Sequence, residues 1–242
     1  EEEERRLKEE DEIRIKDEKE IKLKLNSSAT TGHASSIYVD DVTSRRQSRS
    51  AANVMSSYLG KNRRPFIIFD VDPLKSVSKE ITARNAATRG FLLLCSEPIY
   101  VLKENNGELT VDIELLNKKL ELFISQNKEI CIFGFTFILY DTVIRKLFGN
   151  GLNYKIPKNS KIMHIGGWKK LEAKKVSKIK FLNDMTNVFG VEKNNIIDFY
   201  GFTEQMGLLY GSVGESFKTT PTYSEIIVRD FQTLRPVKDG DL

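Results

Sequence analysis

Three short stretches of this sequence hold hydroxyls, glycines, aromatics and a carboxylate at spacings that could act on a charged, flat ligand. The first is Asn26-Ser27-Ser28-Ala29-Thr30-Thr31-Gly32-His33, where four hydroxyls and a glycine crowd ahead of an apolar run. Each hydroxyl donates without bulk, and glycine lets backbone N–H groups come close, so such a loop can wrap a polyphosphate. It lacks the Gly-Lys-Ser/Thr ending of a Walker A loop, and the same composition also builds ordinary turns. The second is His164-Ile165-Gly166-Gly167-Trp168-Lys169-Lys170, at the end of an apolar run. Paired glycines let a flat ring lie on bare backbone; the plainer reading is a strand-to-helix turn with Trp168 in the core. His164 could polarise a substrate or be a satisfied structural group. The third is Tyr200-Gly201-Phe202-Thr203-Glu204-Gln205-Met206-Gly207. Here Tyr200 could stack on a base, Thr203 donate to a phosphate and Glu204 hold a hard cation through oxygen. A capped helix start after a buried tyrosine would use the same letters.

These residues need a scaffold. Ser36–Val39, Phe66–Phe69, Pro98–Leu102, Ile130–Phe133, Ile162–Ile165, Ile196–Phe199 and Glu225–Val228 read as strands. Helical periodicity appears over Ser44–Leu59, Asp112–Ser125, Phe137–Phe148 and Lys170–Val188, the last closed by Gly190. The stretch Glu104–Leu109, with Asn105-Asn106-Gly107, reads as a polar turn. Alternation of this kind predicts an α/β fold, a mixed or parallel sheet flanked by helices. In such sheets ligands sit beyond the carboxyl ends of the strands, where the second and third stretches fall.

The chain has 242 residues, 40% of them hydrophobic, enough for a sizeable core. Its charge is uneven. Residues 1–20 carry 11 acidic and 6 basic side chains, whereas the whole chain has a net charge of +4. In that opening stretch Glu1/Arg5, Glu4/Lys8, Glu10/Arg14 and Glu12/Lys16 are acid-first pairs one helical turn apart, each worth ~0.3 kcal/mol to an isolated helix. The expected organisation is a charged lead-in helix over 1–20 and one α/β unit over 21–242. The mild positive excess beyond residue 20 suits phosphate-bearing ligands and is no nucleic-acid signature. No apolar run is long enough to span a bilayer. The two cysteines, Cys95 and Cys131, sit in apolar runs with no metal-ligand or disulfide spacing, which points to a reducing, cytoplasmic setting.

Taken together and in this order, the three stretches resemble the adenylate-forming superfamily of acyl- and aryl-CoA synthetases. Its phosphate loop, Ser/Thr-Ser-Gly-Thr-Thr-Gly, is matched by Ser27-Ser28-Ala29-Thr30-Thr31-Gly32, with Ala29 at the central glycine. Its Tyr-Gly-x-Thr-Glu signature is matched in full at 200–204. The form His-x-Gly-Gly-Trp-Lys-Lys at 164–170, and Ile132-Phe133-Gly134-Phe135-Thr136-Phe137, look most like the acyl-protein synthetases of bacterial luminescence (LuxE-type). The resemblance covers roughly residues 25 to 242 and implies the core of the large N-terminal domain of such enzymes. It implies ATP- and Mg2+-dependent activation of a fatty or other carboxylic acid to an acyl-adenylate, then transfer to a protein thiol, with an acyl-reductase as partner. On that model Ser27, Ser28, Thr30, Thr31 and Gly32 hold the ATP phosphates. Gly166, Gly167, Tyr200 and Gly201 form the adenine slot. Thr203 contacts the α-phosphate, Glu204 holds magnesium, His164 joins them as a catalytic candidate, and Phe133, Gly134 and Phe135 line the acyl pocket, unless they are plain core.

The pattern also departs from the superfamily. Ala29 adds a methyl group where the backbone often needs a positive φ. The ribose-binding aspartate segment, the hinge and the small C-terminal domain with its catalytic lysine and acceptor cysteine find no match up to Leu242, and Cys95 and Cys131 are too apolar in setting to replace that cysteine. Two other readings therefore stand beside the first: a ligase of the phenylacetate–CoA type, with coenzyme A as acceptor, and a non-catalytic nucleotide- or partner-binding module.

Overall fold

The computed structural model describes residues 21–26, 36–73, 88, 90–105, 108–149, 151–202, 205–238 and 240. The lead-in stretch 1–20, the hydroxyl-rich stretch 27–33, Asn106-Gly107 and Thr203-Glu204 lie outside the described residues.

Two strands open the chain, β1 (Ile21–Asn26) and β2 (Ser36–Asp40), paired antiparallel across the hydroxyl-rich stretch. Helix α1 (Asp41–Leu59) follows, starting earlier than its periodicity suggests because the Asp40 carboxylate accepts the Thr43 N–H at 2.6 Å. The main sheet holds β3 (Arg64–Val71), β4 (Cys95–Asn105), β5 (Glu108–Val111), β6 (Cys131–Phe135), β7 (Lys161–Ile165), β8 (Ile196–Tyr200) and β9 (Tyr210–Val213). Their order is β5-β4-β3-β6-β7-β8-β9. The five inner strands are parallel, and β5 and β9 add antiparallel edges.

Parallel strands must be covered on both faces, hence their unbroken apolar runs. In β3, every residue from Phe66 to Asp70 is buried. One face is covered by α1 and the segment before β4: Tyr58 meets Phe199 edge-on at 5.2 Å, and Phe91 meets Phe133 at 4.9 Å. The other carries α2 (Ile113–Ser125), a π-helical stretch Ile138–Ile144 running into α3 (Arg145–Gly149), and α4 (Lys178–Phe189). There Phe189 meets Phe69 at 6.2 Å, and Tyr154, stacked on Phe189, donates its hydroxyl proton to Asn117 of α2.

Several sequence expectations are corrected. Glu225–Val228 is no strand: Ile226, Ile227 and Val228 stand exposed, and the next residues close on themselves through a bridge at Arg229–Pro236 and a Val237 N–H bond to the Val228 carbonyl. A β-branched run needs a neighbouring ladder, and none reaches it among the described residues. The helix expected over Lys170–Val188 is two pieces, a 3-10 turn Lys169–Lys174 and α4, because Ser177 accepts the Lys180 N–H and restarts the helix. Gly190 closes α4 at φ +67° as expected. The strand expected at Pro98–Leu102 is longer than read, running from Cys95 to Asn105, and is preceded by a 3-10 turn over Leu92–Leu94. The polar turn at Glu104–Leu109 is shorter than read, since β4 and β5 pair up to Asn105 and Glu108. Strands β1, β5 and β9 are additional to the expectation.

Candidate functional site

Register decides what meets at the site. Phe135 pairs with Ile165 and Ile165 with Phe199, so β6, β7 and β8 end at one level. Thr136, Gly166 and Tyr200 are the next residues outward or the last of their strands, which lines up the second and third stretches along the carboxyl edge of the sheet. Gly166 has φ +83°, a conformation that L side chains rarely adopt, and a Cβ there would stand 3.6 Å from Phe135 Cδ1. Around Gly167 no heavy atom of the described residues, its two chain neighbours aside, lies within 4 Å of the Cβ position, so this backbone presents a bare face. Tyr200 is 44% exposed, its ring edge-on to Phe202 at 4.9 Å. A flat group could lie between that tyrosine and the glycine backbone.

The hydroxyl-rich stretch is flanked by strands that reach the same region. Val39 of β2 packs on Met206, and a Cβ on Gly207 would stand 3.2 Å from the Gln47 Cα of α1. The strand that leaves residues 27–33 thus touches the segment that follows Thr203-Glu204. Those two residues, and Ser27, Ser28, Thr30, Thr31 and Gly32, lie outside the described residues.

His164 faces the α4 side of the sheet. Its ring packs 4.5 Å from Phe181, and Nδ1 lies 2.9 Å from Thr136 Oγ1 and 3.7 Å from the Asp198 carboxylate. Thr136 Oγ1 also lies 3.4 Å from the Ile165 carbonyl. With the hydroxyl proton directed to that carbonyl, Oγ1 accepts from Nδ1–H, the tautomer the nearby carboxylate also favours. Burial pushes the imidazole down to about 4, outweighing the pull of Asp198, so the ring is neutral near pH 7. This geometry is that of a satisfied structural histidine. Trp168 likewise takes the plainer of its two readings: it is buried, edge-on to Tyr140 at 5.2 Å.

Of the three acyl-wall candidates, Phe133 is fully buried against Phe91, and the space a side chain on Gly134 would need is filled by Leu139. Only Phe135, at the strand's end beside Gly166, borders the open edge. Cys95 and Cys131 are buried, and burial pushes both thiols up, which keeps them protonated. Among the described residues no cluster of His, Cys, Asp and Glu could hold a metal, and no helix is long and apolar enough to cross a membrane.

Sequence reasoning did not single out Asp198 and Lys218, an ion pair at 2.6 Å behind the sheet. The signal was present in part: Asp198 is a carboxylate inside the apolar run Ile196–Phe199.

A family model described as acyl-protein synthetase, LuxE, matches residues 10–242, beginning within the charged lead-in. Among solved structures, ATP-bound MatB from Rhodopseudomonas palustris matches with a TM-score of 0.55 at 12% identity, over 91% of this chain and 38% of that one. The N-terminal subdomain of Klebsiella oxytoca NpsA, in complex with 3-hydroxyanthranilyl-AMSN, matches with a TM-score of 0.52 at 18% identity, over 90% of this chain and 47% of that one. McyG A-PCP complexed with phenylalanyl-adenylate gives a TM-score of 0.54 at 16% identity, over 93% and 34% of the two chains. The chain therefore spans less than half the length of these proteins. Comparison with curated proteins gives no match.

Proposed function

The chain belongs to the acyl-protein synthetase family, and from that premise we propose that it carries the nucleotide-holding part of an enzyme that activates a fatty acid on ATP and passes the acyl group to a protein thiol. The observation that carries this reading is the common level of the turns after β6, β7 and β8. In the proposed reaction a carboxylate oxygen attacks the α-phosphorus of ATP, an acyl-phosphate bond forms and pyrophosphate leaves. A thiolate then attacks the acyl carbon and AMP leaves.

Each of this chain's residues has a task in that scheme that its chemistry suits. Gly166 and Gly167 offer bare backbone to one face of adenine, and Tyr200, with Gly201 beside it, covers the other. Ser27, Ser28, Thr30, Thr31 and Gly32 donate to the phosphates, and Thr203 donates to the α-phosphate. Phe135 is the acyl-wall residue placed nearest the reacting edge, with Phe133 and Gly134 stiffening the strand behind it. His164 does not reach the nucleotide; it holds the Ile165–Gly166 turn through Thr136. The oxygen donors of Glu204 and the hydroxyl-rich stretch suit a hard cation, so Glu204 is the residue proposed to hold Mg2+, which when bound neutralises charge on the phosphates. Buried reduced thiols fit a cytoplasmic enzyme, and an acyl-reductase is the expected consumer of the acyl group.

Fatty-acid-dependent ATP–pyrophosphate exchange tests the reading, comparing the chain with Glu204→Ala. Exchange in the first and its loss in the second supports it, and equal exchange in both removes Glu204 from the metal. Release of acyl-CoA in place of a labelled protein moves the acceptor to coenzyme A. ATP binding with no exchange leaves a nucleotide- or partner-binding module.

A further inference from the structure

Positive charge gathers along α1 and the turn that follows it. From Val42 to Phe69 the sequence holds six basic residues, Arg45, Arg46, Arg49, Lys61, Arg63 and Arg64, and no acidic one. Arg64 is turned inward, onto the Leu59 and Asn159 carbonyls. At about 100° per residue, Arg45, Arg46 and Arg49 share one face of α1 with Val42, turned away from the stripe Ala51, Val54 and Met55 that the core buries. All four are exposed, Val42 by 53%. Arg45 pairs with Asp41, whereas Arg46 and Arg49 make no ion pair among the described residues.

The path of the chain supplies the occupant. The pairing of β1 with β2 sets Ile21 opposite Asp40, the residue that caps α1. The two strands are antiparallel, so the chain traced back from Ile21 leaves on the side where β2 passes into α1. Residues 1–20, with 11 acidic and 6 basic side chains, are therefore tethered at the first turn of the basic face. As a helix, which their acid-first pairs favour, they would reach about 30 Å, against about 28 Å for α1. Ile13 and Ile15 give this segment apolar side chains for Val42. We propose that the acidic lead-in docks on the outer face of α1, antiparallel to it, with its carboxylates on Arg46 and Arg49. A short tether supplies an effective concentration in the millimolar range, so contacts too weak to hold a free acidic peptide hold this one. The docking stands whether or not the chain activates acids.

Trypsin reads it directly, because the lead-in contains Arg14 and Lys16 and a docked segment is cut only when it lets go. The intact chain and a free peptide of residues 1–20 are digested side by side, and cleavage after Arg14 and Lys16 is followed by mass. At low salt the chain should be cut about fivefold more slowly than the peptide, the scale of two exposed ion pairs. In about 1 M salt, where charges are screened beyond about 3 Å, the two rates should converge. Arg46→Gln/Arg49→Gln should be cut at the peptide's rate even at low salt, and Arg46→Lys/Arg49→Lys should keep the protection. Equal rates for chain and peptide at low salt overturn the proposal. So does protection that survives the glutamine pair or high salt, since the segment would then be held elsewhere or by apolar contact. Protection that grows with chain concentration overturns it too, placing the lead-in on a second copy. Arg46 and Arg49 are exposed, and the comparison of chain with peptide needs no variant at all.

Discussion

A histidine kept neutral inside a protein leaves a mark on how stability depends on pH. In the unfolded chain His164 takes up a proton near 6.5, whereas in the fold, shut away from water, it does so only near 4. Between those values the unfolded state binds the extra proton, so stability rises with pH through this window and the contribution is complete above 6.5. Each tenfold difference in proton affinity is worth about 1.36 kcal/mol, so roughly 3 kcal/mol is lost on acidifying through the window. The expected outcome is a clear drop in urea midpoint between pH 7 and pH 4.5 that shrinks in His164→Asn. An unchanged slope would mean that the ring meets water after all. Tyr200 carries the second prediction at this scale. Its exposed ring can serve only by stacking, so Tyr200→Ala should weaken ATP binding by about 1–3 kcal/mol while Tyr200→Phe stays near the parent value, read by calorimetry. Comparable losses in both variants would transfer the role to the hydroxyl.

Packing between elements makes Gly134 a strict position. A Cβ there would come within 2.7 Å of Leu139 Cγ and 3.2 Å of Phe69 Cβ, so the π-helical stretch can approach β6 only over a bare backbone. Gly134→Ala should cost about 1–3 kcal/mol by overpacking. Adding Leu139→Ala, which frees the space, should recover part of that loss, a coupling that a thermal-denaturation double-mutant cycle would measure. Purely additive losses would place the strain elsewhere. The same residues show what could be read in advance. The inner strands were legible because parallel strands buried on both faces are uninterrupted apolar runs, as in Phe66–Phe69 and Ile162–Ile165. Edge strands β5 and β9 were not, since Glu108–Val111 and Tyr210–Val213 are four-residue segments of mixed composition, with no apolar run of their own, that fold back on the strand just before them. Caps misled in a similar way: Ser177 splits a stretch whose lysines and apolar residues keep helical spacing throughout. At the site, Gly166 was legible as a turn because its φ of +83° is one that L side chains rarely adopt, whereas the direction in which His164 faces, towards Phe181, is a matter of strand parity that no motif records.

At the scale of the molecule, what matters is whether separated turns act as one surface. The ends of β6, β7 and β8 are levelled by their pairing, and β2 meets the segment after β8 through Val39 and Met206. A nucleotide spanning these places would restrain segments far apart in sequence at the same time. Hydrogen exchange measured with and without ATP should therefore slow together in 27–33, 166–168 and 200–206. The β4–β5 hairpin lies at the opposite edge of the sheet, four strands from β8, and should exchange at an unaltered rate. Its constancy matters, because a ligand that merely tightened the whole fold would slow every segment, the hairpin included. Slowing confined to 200–206, with 27–33 untouched, would separate the hydroxyl-rich stretch from the nucleotide and leave only a base-stacking pocket. Slowing confined to 166–168 would instead leave the glycine turn as the one point of contact and separate both other stretches from the nucleotide.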